Sequence, residues 1–325
     1  MRISVVIPTL GRPAMLLETL ESVLACDPAP HEILVVDGDA NRSAREAVNQ
    51  LPGNATTAPV RCLASPRGAS VQRNRGIEVA TGDVVLFIDD DAIVDPGLIG
   101  VLCATYRDPE IVGVTGRIIQ GDYRAFGNQR SRIRQLLMRG GRQGTMTSYG
   151  YPRHLQELDR RWDVEFMQGC LMSARRELAA RVGFDTDMGG PRRTALLEDE
   201  DFSYRLSRHG RVVYVPDAVV NHRAVGFRSR QGGARSYSRL IVTDRAYLLR
   251  KNFRVTPLVA LRFALLIGVF FAHRVINAEW GGILGLAEGV RDAVREARAR
   301  SPRQRLAAAP AEGGAGSRGP AAQAW

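Results

Sequence analysis

Asp89-Asp90-Asp91 follow the apolar run Val84 to Ile88 without a break, so a strand there would carry three carboxylates to its carboxyl end. Charge that dense calls for a cation. Hard divalent ions such as Mg²⁺ or Mn²⁺ take oxygen ligands and commonly bridge one or two protein carboxylates to nucleotide phosphates. A second acidic run, Glu198-Asp199-Glu200-Asp201, opens a helical pattern that ends at Gly210. A helix dipole favours acids in its first turn, but repulsion among four in succession opposes it, and a functional cleft explains them better. A third acidic element, Asp37-Gly38-Asp39, closes the run Glu32 to Val36. A solvated acidic turn is the alternative for any of these alone.

The elements that must position these groups are legible as alternation. Ile3–Ile7, Glu32–Val36, Val60–Leu63, Val84–Ile88 and Ile111–Thr115 have the β-branched character of strands, and Ala14–Leu24 and Ser70–Ala80 carry apolar residues at helical spacing. That order specifies an α/β fold with a mostly parallel central sheet flanked by helices. Ligands of such sheets bind beyond the carboxyl ends of the strands. Pro8-Thr9, Asp37-Gly38-Asp39 and Asp89-Asp90-Asp91 occupy those ends, so one crevice could collect them. Arginines and glycines from 117 to 161 give that stretch the composition of a loop. Ser173 is placed to cap a helix ending near Gly183, and Arg211–Val215 has the pattern of a strand closed by Pro216.

Length and charge narrow the classes. A chain of 325 residues buries a core without staples. Cys26, Cys62, Cys103 and Cys170 form no C-x-x-C pair, which argues against a zinc site or a disulfide framework and fits a reducing compartment. The apolar run behind Met1 is too short for a signal peptide and is broken by Pro8. The net charge is +11, almost wholly arginine, with Lys251 the only lysine. Arginine binds phosphate bidentately and is drawn to anionic membranes. Nucleic acid ranks last, because the charge is dispersed and no stacking aromatics accompany it.

From Val255 to Ala272 the chain is apolar apart from Thr256, Pro257 and Arg262, behind Arg250, Lys251 and Arg254. Eighteen helical residues reach about 27 Å, short of a hydrocarbon core of about 30 Å, and a central Arg262 opposes a span. A helix lying in the membrane interface is the expectation; a helix buried in the protein or an oligomer contact is the alternative. Residues 301–325, rich in alanine, glycine and proline, lack periodicity and are expected to be disordered.

Taken in order, Val5-Val6-Ile7-Pro8-Thr9, Val35-Val36-Asp37-Gly38-Asp39, Arg73-Asn74-Arg75-Gly76, Phe87 to Asp91, Glu198 to Asp201 and Tyr214-Val215-Pro216-Asp217 resemble glycosyltransferase family 2 with its GT-A fold. The resemblance covers residues 1 to about 225. It implies a nucleotide-sugar-binding half at 1–115 and an acceptor and catalytic-base half at 116–225, followed by a helical, membrane-associated extension at 226–300. Pro8, Thr9, Asp37, Arg73 and Asp89 match nucleotide-binding positions. Asp91, with Asp89 nearby, matches the metal motif for Mg²⁺ or Mn²⁺, and His222 matches a position that in many relatives reaches the metal or diphosphate. Asp199 matches the catalytic carboxylate, and Glu198, Asp201 and Gly169 lie on its acceptor side or support it. For Asp37 a turn-forming aspartate is the alternative, for Arg73 a surface charge and for His222 a structural histidine; Trp162 could stack on a sugar face, with a core or interface aromatic as the alternative. Asp39 has no assigned role, since the family usually has an acid or asparagine directly after the first aspartate.

Processive polysaccharide synthases of this family carry Gln-x-x-Arg-Trp. Here Gln231-Gly232-Gly233-Ala234-Arg235 has the wrong spacing and no tryptophan. The implied activity is transfer of one sugar from a nucleotide-diphosphate donor, with inversion, to a hydroxyl of a saccharide or lipid-linked saccharide in cell-envelope polysaccharide or glycolipid assembly. The expected location is the cytoplasmic face of the cell membrane. Two other classes stay open: a sugar-1-phosphate nucleotidyltransferase, and a non-catalytic membrane-bound scaffold of the same fold.

Overall fold

The computed structural model describes residues 1–51, 57–119, 141–155, 158–188, 195–223 and 233–299. The first half alternates as its sequence requires: β1 (Ile3–Thr9), α1 (Pro13–Leu24), β2 (Glu32–Asp37), α2 (Ala44–Asn49), β3 (Val60–Ala64), α3 (Ala69–Val79) and β4 (Val84–Phe87). Then come β5 (Ala92–Val94), α4 (Leu98–Thr105), β6 (Ile111–Ile119), β7 (Trp162–Val164), β8 (Met172–Arg175), α5 (Arg176–Val182), α6 (Glu198–Leu206) and β9 (Arg211–His222). Three helices close the described chain: α7 (Gly233–Asn252), α8 (Pro257–Ile276) and α9 (Trp280–Ala299).

The nine strands form one sheet in the order β3-β2-β1-β4-β8-β6-β9-β5, with β7 also paired to β9. Strands β1 to β4, β6 and β9 run one way and β5, β7 and β8 the other. Both faces of the sheet are covered. Ile3, Val5, Ile7, Ile33 and Val35 pack with Leu16 and Leu20 of α1 on one face, while Val6, Leu34, Val36, Val85 and Phe87 pack with Ile77 of α3 and Phe202 of α6 on the other. This is the period-two consequence of a doubly covered strand. Phe184 stacks on Phe202 with ring centroids 4.1 Å apart, and Phe87 meets both rings edge-on.

Two local expectations are corrected. Ser173 is not a helix cap. It lies in β8, where its hydroxyl bonds to Val114 O at 3.0 Å and to Tyr106 Oη at 2.9 Å, and the following helix starts at Arg176. Pro216 does not end β9, because the strand shifts register against β6 between Gly116 and Arg117 and continues to His222. Gly116 is required at that bulge: a Cβ there would come within 2.0 Å of Ala218 O. The expected disorder of 301–325 lies outside the described residues, as do Gln231 and Gly232, while Gly233 to Arg235 open α7.

Candidate active site

The site is assembled at the carboxyl ends of β1, β2 and β4, where the alternation of the first half delivers its loops. Ile88 continues β4 by one bond, its N–H donating to Val6 O at 3.1 Å, and the next three residues turn sharply. Their side chains part. Asp89 is half-buried, whereas Asp90 and Asp91 are almost wholly buried.

Asp90 points back into the fold. It accepts from Thr9 Oγ1 at 2.6 Å and pairs with the Arg12 guanidinium. Burial pushes its carboxyl up to about 6 despite Arg12. Asp91 accepts from Arg12 Nη1 at 2.8 Å and lies 3.0 Å from His222 Nε2. Burial opposes its charge, but His222 and Arg12 outweigh that effect and hold the carboxyl well below the usual range. His222 reaches this point because β9 runs past its bulge and pairs with β5, setting His222 opposite Ala92. Its Nε2 is 3.9 Å from Asp89 Oδ2.

Asp89, Asp91 and His222 each offer a ligand atom within 4.8 Å of the others. Two carboxylates and one imidazole suit a six-coordinate divalent cation that leaves positions for phosphate oxygens, the donor set expected of Mn²⁺ or Mg²⁺ more than of zinc. The residues fit such an ion.

Arg73 of α3 crosses the cleft. It is 3% exposed and donates from Nη1 to Glu198 Oε1 at 2.9 Å and from Nη2 to Asp89 Oδ1 at 3.2 Å. Its guanidinium also lies 5.4 Å from the centroid of Phe184. The surface charge that was the alternative for Arg73 does not describe it. Gly169 sits against the same guanidinium, since a Cβ there would fall 2.9 Å from Arg73 Nη2 and 3.5 Å from Asp199 Oδ2. The Gly169 N–H donates to Asp199 Oδ2 at 2.8 Å, and Glu200 N–H donates to Oδ1 at 2.8 Å. Burial, with Glu198 and Glu200 adding to it, lifts the Asp199 carboxyl to about 8, while Arg73 pulls the other way. Asp199 thus takes a proton near neutrality, as a general base must.

The other predicted residues divide. Thr9 is spent within the fold: its hydroxyl holds Asp90, and its carbonyl accepts from Gly38 N and from Gln72 Nε2 at 2.8 Å. Asp37 does not face the cleft. It is wholly buried, its oxygens accepting from Asp39 N at 2.8 Å and Ala44 N at 3.1 Å, so it is the turn-forming aspartate that was the alternative. Asp39 is half-buried beside the loop after β1, with Oδ2 3.9 Å from where a Cβ on Gly11 would stand. The Ser43 hydroxyl and the Asn41 N–H hold its carboxyl below the ordinary value. Asp201 turns away from the cleft and is fully buried against Arg205, Lys251 and Asn252, so it supports α6 from behind and does not reach toward an acceptor. Pro8 is half-buried on β1.

Residue type alone had not singled out Arg12 or Gln72. The basic loop Leu10-Gly11-Arg12 was the signal for Arg12. Gln72 had none: its amide donates to both Thr9 O and Val36 O and so pins the tips of β1 and β2 together.

Comparison with known proteins gives this geometry a context. A family model described as "Glycosyltransferase like family 2" matches residues 1–237. A glucosyl-dolichyl phosphate glucuronosyltransferase of Haloferax volcanii is 30% identical over 236 residues, 70% of this chain and 71% of that protein. Among solved structures, a mannosyltransferase of Pyrobaculum calidifontis in complex with GDP-Man and Mn²⁺ aligns with a TM-score of 0.53 at 18% identity, covering 94% of this chain and 77% of that one. TarS of S. aureus, residues 1–349, aligns at 0.50 and 15% identity over 81% of this chain and 71% of its own. At those identities the structures establish the shared GT-A fold.

Proposed function

The chain belongs to glycosyltransferase family 2, and from that premise we propose that it is an inverting, metal-dependent transferase. It would move one hexosyl or deoxyhexosyl unit from a nucleotide-diphosphate donor to a hydroxyl of a lipid-linked acceptor in cell-envelope assembly. The observation that carries the reading is Arg73. One buried guanidinium touches Asp89 of the candidate metal set and Glu198 beside Asp199, so the donor-side and acceptor-side groups share one cleft.

In this reading the acceptor oxygen attacks the anomeric carbon from the face opposite the diphosphate. Its proton passes to the Asp199 carboxylate as the new carbon–oxygen bond forms. The bond from the anomeric carbon to the phosphate oxygen breaks, and its electron pair leaves on the diphosphate. The two backbone N–H groups on Asp199 fix the carboxylate in place. A divalent cation held by Asp89, Asp91 and His222 would neutralise charge on the diphosphate. Asp39, whose Oδ2 lies 3.9 Å from where a Cβ on Gly11 would stand, and half-buried Pro8 are assigned to the nucleoside in place of Asp37.

Placement at the inner membrane face is supported by the relative that is named for a dolichyl phosphate and by α8. That helix has 20 residues and a mean hydropathy of 1.9, with only 22% of its most apolar window buried. Leu258, Leu261 and Leu265 are exposed along one side of it.

The test begins with a thermal-shift screen of nucleoside diphosphates with and without Mn²⁺, which identifies the donor class. Asp199→Asn should then abolish transfer and keep nucleotide binding, while Asp91→Ala should weaken Mn²⁺-dependent binding. Full activity in both variants sinks the assignment. Pyrophosphate release from a sugar phosphate and a nucleoside triphosphate would point to the nucleotidyltransferase instead.

A further inference from the structure

Helices α7, α8 and α9 do not close on one another along their whole length. Glycines let α9 lie hard against α7: a Cβ on Gly285 would meet Arg235 O at 2.0 Å, and one on Gly289 would meet Arg239 O at 2.7 Å. A cavity of about 570 Å³, open to solvent at Val255, Ala260, Ala264 and Gly268, lies among the three helices. Ligand pockets are typically about 300–1,000 Å³. Arg250 is the one charged residue in its lining; the others include Leu249, Phe263, Ile267, Phe271 and Val294. Ala260, Ala264 and Gly268, four apart on α8, keep the slot open along one helix face.

We infer that this cavity holds the hydrocarbon chain of a phosphate-bearing lipid, the chain of the acceptor itself. The inference rests on the lipid-linked-acceptor reading above and supplies the site that reading lacks. Three observations favour this occupant. The lining can solvate only an apolar ligand. Arg250, the charged residue of the wall among the described residues, pairs with Glu296 at 2.9 Å, so exposed Arg254, just before Val255 of the lining, is the cation that complements an anionic headgroup. The inner wall also belongs to the helix that braces the acid run. Ala246 and Leu249 line the cavity, while Arg245 on the same helix pairs with Glu200 at 3.0 Å and Asp244 accepts from Leu196 N at 2.9 Å, just before α6.

The experiment titrates the full chain with monomeric farnesyl phosphate, a single prenyl chain on a monophosphate, and follows heat release with no sugar nucleotide present. Saturable binding is expected, and inorganic phosphate should not compete. Gly268→Phe and Ala264→Phe fill the slot and should weaken binding about tenfold or more. The glycine variant should keep its melting temperature, because a Cβ at 268 meets nothing within 4 Å. Leu261→Ser, on the exposed side of α8 and 57% exposed, should leave farnesyl phosphate binding unchanged. The inference is overturned if farnesyl phosphate does not bind, if both filled variants bind as well as the parent, if phosphate alone competes, or if only anionic vesicles bind. It is equally overturned if sedimentation shows a dimer that Gly268→Phe dissolves, since a second copy would then be the occupant. Because no donor or turnover is involved, failure here leaves the transferase reading standing, and failure of that reading leaves this measurement untouched.

Discussion

Replacing Arg73 with methionine removes a buried guanidinium that ties Asp89 and Glu198 together across the cleft. The side chain is 3% exposed and its Glu198 partner 12%, so this pair is largely removed from water. The Asp89 partner is 29% exposed and is discounted for solvent screening. Breaking a buried pair by deleting one member costs about 3–5 kcal/mol. Methionine keeps most of the packing against Phe184 and loses nothing at Nε, which makes no hydrogen bond. A net destabilisation of about 2–4 kcal/mol is therefore expected, read from the midpoint of urea unfolding at pH 7.

The same variant carries two internal checks. Arg73 is the charge that pulls the Asp199 carboxyl down from a value already lifted to about 8 by burial. Without it that carboxyl rises further, and because a base must be ionised to act, the rising limb of the pH–rate profile should move to higher pH. Adding Glu198→Gln removes the stranded carboxylate and should restore about 1–2 kcal/mol of the lost stability. Stability within about 0.5 kcal/mol of the parent, with no recovery in the double variant, would refute the bridge as an energetic element of the cleft. An unmoved pH profile would refute its coupling to Asp199.

Three other outcomes follow from the geometry. Arg12→Ala removes a cation from Asp90 and Asp91; calorimetry should show Mn²⁺ binding about fivefold tighter or more, since about 1–4 kcal/mol of charge repulsion at such range is relieved, and weaker Mn²⁺ binding would contradict the assignment of Asp91. Gly169→Ala should lower turnover about tenfold or more by displacing Arg73 or Asp199, in assays with the sugar nucleotide that the thermal-shift screen selects, and full turnover would show that close approach at this glycine is not needed. Burial lifts the Asp244 carboxyl from 3.8 to about 7; a raised folded-state value means stability is fully present below about pH 4 and is lost as pH rises toward 7, so Asp244→Asn should gain on the parent by about 1–3 kcal/mol across that window, in urea titrations at pH 4.5 and 7.5, and a gap that does not widen with pH would count against it.

What was legible in the sequence is what depends on periodicity. Strands β1, β2, β4 and β6 are mostly buried runs rich in β-branched residues between helices and turns, the pattern of a doubly covered sheet, while edge strand β3 is only partly buried. What was hidden depends on partners far away in sequence. Ser173 has the residue type of a helix cap, yet its hydroxyl is satisfied by Val114 O and Tyr106 inside the sheet. Asp37 has the type of both a ligand and a turn former, and only the positions of Asp39 N and Ala44 N decide between them. Arg250 and Lys251 have the look of a membrane anchor in sequence. In the fold, Arg250 pairs with Glu296, and Lys251 with Asp185 and Asp201, which leaves exposed Arg254 to face outward. A charge is read correctly from sequence, but its partner is not.

The four consecutive acids of α6 show how both kinds of information combine. A helix turns about 100° per residue, so successive side chains leave its first turn in different directions, and here each of the three paired acids has its own cation. Glu198 meets Arg73 of α3; Glu200 meets Arg245 of α7; Asp201 meets Arg205, Lys251 and Asn252. Their cations offset the repulsion that makes such a run improbable on its own. Asp199, among the described residues, forms no ion pair and takes two backbone N–H groups, and burial with its acidic neighbours lifts its carboxyl to about 8. Three acids are therefore engaged by cations, and the remaining one has the proton affinity that the transfer proposed above asks of its base. On this argument Glu200→Gln or Asp201→Asn should cost stability first and activity only through the aim of α6, whereas Asp199→Asn should cost activity with the fold intact.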